Sequence, residues 1–130
     1  MDCKRALDDA GGDFHKAIAL IKERGFSKAA KRAGRDTGAG LLEAYVHNDR
    51  IGVLLELRSE TDFVAHSDPF KTLAHELVMH IAAMDPKDVA TLLEQTYVKD
   101  ADMIVNDVIT QVTAQVGENI QVGRFARYEI

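Results

Sequence analysis

Tryptophan is absent from this 130-residue chain, cysteine occurs once and proline twice. A lone Cys3 excludes an internal disulfide and fits a reducing compartment. No apolar run approaches the roughly 20 residues that span a bilayer, so no contact with the membrane interior is expected. No apolar signal core follows Met1-Asp2-Cys3-Lys4-Arg5 either, so neither a secretion nor an import signal is expected. The expected location is cytoplasmic, with an organelle as the alternative. Excess positive charge is also missing. A net charge of -5 argues against direct nucleic-acid binding, which uses a basic face.

The charge is unevenly spread. Residues 1–40 hold nine Lys and Arg against six Asp and Glu, and the rest of the chain is strongly acidic. The basic part ends in Lys28, Lys31, Arg32 and Arg35. That run reads either as a solvated helix face or as a docking surface for an acidic partner.

Catalytic constellations are missing as well. There is no glycine-rich phosphate loop and no serine elbow, and no histidine flanks Cys3. His75 and His80 lie on one expected helix with Glu76 beside them, which invites a zinc-hydrolase reading. Zinc histidines on a helix stand four apart, however. A spacing of five turns these two about 140° from alignment. No metal and no cofactor are expected, and an interaction protein is the better class than an enzyme. A metal-dependent enzyme using His75, Glu76 and His80 is the rival that metal analysis would test.

Along the chain, residues 2–10 and 13–25 read as short helices separated by Gly11-Gly12, with Asp13 capping the second. Two short helices cannot close a core. Residues 1–33 are therefore expected to form a partial helical module with a basic helix, and residues 34–40 a glycine-containing linker. Residues 41–130 form the main domain. Its period changes to two: Leu42, Ala44 and Val46 share a face, as do Ile51, Val53, Leu55 and Leu57, with a turn at Asn48-Asp49 between them. Asp68 as cap and Pro69 behind it open a helix whose apolar stripe is Phe70, Leu73, Ala74, Leu77, Val78 and Ile81, ended by Asp85-Pro86. Val89 to Leu93 offers a helical turn or two. Val105, Val108, Ile109, Val112 and Val116 mark another helix, closed by Gly117. Ile120, Val122, Ala126 and Tyr128 alternate as a last strand. The expected fold is α+β, a three-stranded antiparallel sheet covered by helices on one face. Its edges offer a route to a homodimer.

Between the second strand and the helix start lies Glu60-Thr61-Asp62-Phe63-Val64. Phe63 has two readings. It tucks under the helix as a core residue, or it is presented on a rigid loop as an interface anchor.

Three segments carry a family resemblance. Asp2-Cys3-Lys4-Arg5-Ala6-Leu7, Glu56-Leu57-Arg58-Ser59-Glu60-Thr61-Asp62-Phe63-Val64-Ala65, and Gly117-Glu118-Asn119-Ile120 with Arg124-Phe125-Ala126-Arg127-Tyr128-Glu129 together resemble elongation factor Ts. The resemblance covers nearly the whole chain, and Thr-Asp-Phe-Val in this setting is its most specific part. It implies a partner, elongation factor Tu in its GDP-bound and nucleotide-free states, and an activity, release of GDP. Glu60, Thr61, Asp62, Phe63 and Val64 would form the exchange loop, with the Asp62-Phe63 pair entering the GTPase near its magnesium and phosphate site. Lys4, Arg5 and Leu7 would belong to an N-terminal docking module resembling a ubiquitin-associated bundle. Against the family pattern, this chain starts inside that bundle, without the first helix and the Thr-Gly-Ala-Gly loop. Arg58 stands where the family often has Asn, and His66 where it often has Lys or Arg. The region after Asp85 is short, with no room for a coiled-coil insertion or a second core subdomain. A module that docks without driving exchange is the alternative function.

Overall fold

A computed structural model of the chain describes residues 32–130. The expected helices over residues 2–10 and 13–25, and with them Lys4, Arg5 and Leu7, lie outside the described residues.

The first two strands form a hairpin. Strand β1 (Ala39–His47) and strand β2 (Ile51–Ser59) pair antiparallel from Ala39↔Ser59 to His47↔Ile51. Asn48 and Asp49 make the turn with φ of 51° and 59°. Both types tolerate the left-handed region, and such a turn matches the twist of the flanking strands. Gly40, across from Arg58, has a φ of 153°, and a Cβ there would strike the Leu57 carbonyl and lie 2.9 Å from Arg58 Cα. Only a glycine lets β1 close on β2 at that point.

After β2 the chain makes a single helical turn, α1 (Asp62–Ala65), and then the long helix α2 (Asp68–Met84). The cap of α2 is Ser67, one residue earlier than expected, and Asp68 is the first helical position. Pro69 still sits where its missing N–H is harmless. The Ser67 hydroxyl donates to Val64 O at 2.6 Å, so the start of α2 is tied to α1. Asp85 ends α2 in the left-handed region with φ 46°. The whole stripe from Phe70 to Ile81 is buried, as its spacing requires.

Helix α3 (Val89–Glu94) follows, capped by Asp88, whose carboxylate accepts the Thr91 N–H at 2.7 Å. Strands β3 (Thr96–Tyr97) and β4 (Asp100–Ile104) then form a small second sheet that no periodicity announces. Helix α4 (Val105–Val116) ends at Gly117 with φ 78°. Strand β5 (Gln121–Glu129) returns antiparallel to β2, giving the order β1-β2-β5. The architecture is α+β, with a three-stranded antiparallel sheet and its helices packed on one face.

The register decides what each face carries. Leu41 pairs with Leu57 and Tyr45 with Val53, and these point toward α2. Leu42, Ala44 and Val46 pair with Glu56, Leu54 and Gly52, on the other face. The first apolar stripe of the sequence therefore turns away from the helices: Leu42 and Val46 are 67% and 65% exposed. A bulge splits the last stripe. Val122 pairs with Leu57 and Arg124 with Glu56, leaving Gly123 unpaired between them. Val122 and Phe125 pack on the core, whereas Ala126 and Tyr128, opposite Leu54 and Gly52, fall on the open face. Among the described residues no helix is long and apolar enough to cross a membrane.

Candidate functional site

The end of β2 hands the chain to α1 through Ser59 and Glu60. Ser59 is fully buried, and its hydroxyl donates to Thr61 O at 2.9 Å. Thr61 is extended, with φ -127° and ψ 155°, and its side-chain oxygen accepts the Val64 N–H at 3.3 Å. This is a helix N-cap, which satisfies one of the free amides of the turn. Val64 and Ala65 are buried against the core and anchor the far side. His66 Nδ1 lies 2.7 Å from Asp62 O, which makes that nitrogen the donor. Between these ties, Phe63 projects from the turn with 86% of its surface exposed. Phe63 is not a core residue, and the structure removes that reading. It is the most exposed large apolar residue among the described ones, on a turn whose neighbours are fixed.

A second segment, Glu118-Asn119 between α4 and β5, grips this loop. Glu118 receives the Thr61 N–H on Oε1 at 3.0 Å and the Thr61 hydroxyl on Oε2 at 2.7 Å. In return, the Asn119 N–H donates to Glu60 Oε2 at 3.1 Å. Glu60 also faces Arg35, with 3.8 Å between charges. The buried Asn119 amide donates to Ala33 O at 3.2 Å and Arg35 O at 2.8 Å. Neither Glu118 nor Asn119 is among the site residues read from the sequence. The available signal was a polar pair directly after a helix-ending glycine, ahead of a strand.

Beside Asp62 the surface sinks into a hollow of about 390 Å³ lined by Gly38, Gly40, Glu56, Arg58 and Arg124. Glu56 is shared there: Arg58 Nε donates to it at 3.2 Å, and Arg124 Nε stands 3.6 Å away. Arg58 also donates to Thr37 O at 3.1 Å.

The histidine pair does not converge. His75 is exposed and meets the Tyr45 ring edge-on at 6.4 Å. His80 is fully buried and stacks on Tyr97 with centroids 5.9 Å apart. Among the described residues no group of three or more His, Cys, Asp or Glu could hold a metal ion.

A family model described as Elongation factor TS matches residues 60–130. The elongation factor Ts of Fervidobacterium nodosum is 41% identical over 176 positions, covering 100% of this chain and 89% of the relative. That of Thermotoga maritima is 40% identical over 174 positions, covering 100% and 87%. That of Carboxydothermus hydrogenoformans is 37% identical over 176 positions, covering 100% and 81%. An alignment of 176 positions against a chain of 130 residues leaves at least 46 positions of the first relative with no counterpart here.

Proposed function

This chain belongs to the elongation factor Ts family, and on that premise we propose that it is a guanine-nucleotide exchange factor acting on elongation factor Tu. Family membership makes it a translation elongation factor. The exchange activity and its loop are our reading, and one observation carries them: the fixed, outward Phe63 at the tip of the Glu60–Val64 loop.

A GTPase holds GDP through its magnesium ion and the backbone cradle around the phosphates. An apolar ring pressed into that region, with the Asp62 carboxylate beside it, opposes both. Phe63 is the wedge and Asp62 perturbs the magnesium region. Thr61 and Val64 hold the shape of the turn, and Glu60 ties it to the neighbouring segment. By linkage, a factor that weakens GDP binding must bind the empty GTPase more tightly than the GDP-bound one, by the same factor. No bond is made or broken by the chain itself.

Release of a fluorescent GDP from elongation factor Tu tests this. Acceleration that rises with the chain and saturates is expected. An unchanged release rate at saturating chain would overturn the reading. Docking without exchange is distinguished by measuring affinity and release rate on the same samples.

Self-association through a sheet edge stays a proposal, and the open face offers a second surface for it. Leu42, Val46, Leu54 and Tyr128 give that face exposed apolar groups beside the Glu56–Arg124 ion pair, which supports pairing of two copies through it.

A further inference from the structure

We propose that Glu118 is a positioning residue of the exchange loop: it sets the projection of Phe63 before any partner arrives. The functional consequence rests on the exchange reading above; the local one does not.

A helix of one turn has too few hydrogen bonds to hold itself. Helix α1 must be fixed from outside. Its C-terminal half is fixed by burial of Val64 and Ala65. Its N-terminal half has no such burial, because Thr61, Asp62 and Phe63 are all exposed. Ser59 and His66 hold the carbonyls of Thr61 and Asp62, and Glu118 supplies the constraint on the Thr61 amide and hydroxyl. Its two oxygens take the amide and hydroxyl hydrogens of Thr61, at 3.0 Å and 2.7 Å. Both bonds end on a carboxylate, which makes them stronger than neutral ones.

The hydroxyl bond has a second effect. A threonine hydroxyl has one hydrogen and two lone pairs. With the hydrogen committed to Glu118, a lone pair faces the Val64 N–H, which it receives at 3.3 Å. Glu118 therefore orients the cap of α1 without touching α1. The Glu60–Asn119 bond at 3.1 Å runs parallel to it and keeps the two segments in register. A wedge ordered in advance spends less of its binding energy on ordering.

The absence of tryptophan makes this measurable. Phe63→Trp places a single indole at the tip, and its fluorescence anisotropy decay reports local motion in the full chain without a partner. Adding Glu118→Ala should increase that motion while the melting temperature stays close to the parent's, since the freed Thr61 groups reach water. Glu118→Gln, which keeps one acceptor, should fall between. In chains that keep Phe63, Glu118→Ala should reduce affinity for nucleotide-free elongation factor Tu by roughly tenfold. Affinity for the GDP-bound form should change much less, so the ratio of the two falls. A purely structural role would lower both affinities together and leave their ratio intact. Unchanged indole motion in Glu118→Ala overturns the proposal, and so does an unchanged affinity ratio in a chain that drives exchange. If the parent chain drives no exchange, the functional reading falls, and the indole motion alone decides whether Glu118 positions the loop.

Discussion

The Val98 N–H donates to His80 Nδ1 at 3.2 Å, and this bond pins the β3–β4 hairpin to helix α2. Gln95 takes the other ring nitrogen: its Oε1 lies 2.9 Å from His80 Nε2, while its own amide donates to Met84 O at 3.3 Å. The network therefore assigns the neutral tautomer with hydrogen on Nε2. Protonation would set a second N–H against that of Val98.

Burial lowers the His80 pKa from its ordinary 6.5, only partly offset by the Gln95 bond. The unfolded chain therefore takes up this proton first as the pH drops. The stability due to neutral His80 is complete above about pH 6.5 and declines as the pH falls below it, toward the lowered folded value. The melting temperature should fall between pH 7 and pH 5. His80→Gln should be less stable at pH 7 and show a shallower fall. An equal slope in both would remove His80 as the cause.

Tyr97 packs on the same ring and should ionise late. Burial, and then the charge and hydrogen bond of Glu76, push its pKa up to about 12. In an absorbance titration of the native protein, Tyr97→Phe should remove a phenolate transition at about pH 12. Loss of an early transition instead would contradict the burial of this hydroxyl.

Phe63 contributes almost nothing to folding because it buries almost nothing, with 86% of its surface exposed. Phe63→Ala should leave the urea midpoint unchanged. Nucleotide release should nevertheless lose most of its acceleration, at least tenfold, the scale of a central apolar anchor worth about 2 kcal/mol or more. A drop in stability matching the drop in rate would instead mark Phe63 as structural.

Gly40 is irreplaceable for a backbone reason. Alanine there meets both the positive φ and the Leu57 carbonyl, so Gly40→Ala should cost about 2 kcal/mol or more in urea unfolding. Gly34→Ala, at a site with nothing within 4 Å of the added carbon, is the control and should be close to neutral.

The open sheet face should govern self-association. Leu54→Asp is expected to shift the chain to monomer in sedimentation equilibrium while its melting curve holds, since Leu54 is 48% exposed and faces away from the helices. A dimer that survives this change would return the contact to a sheet edge.

Local sequence determined the elements that make their own signals. Asn48-Asp49 makes a tight turn because both accept positive φ, and the Phe70-to-Ile81 stripe makes a helix face because its spacing is helical. The Thr-Asp-Phe-Val segment was recognisable as the candidate working loop from its motif, while its periodicity left Phe63 undecided between core and surface. Tertiary structure decided that, and it decided the rest that depends on two distant segments meeting. The face to which Leu42 and Val46 turn follows from hairpin register, and the placement of Ala126 and Tyr128 from the unpaired Gly123. Neither is a property of one strand. The β3–β4 hairpin is too short to show a period, and His80 is buried because that hairpin covers it. The grip of Glu118 on Thr61 joins residues 57 positions apart, which no local pattern encodes. A turn of four residues can come from its own sequence, but the direction in which it holds Phe63 comes from the segment packed beside it.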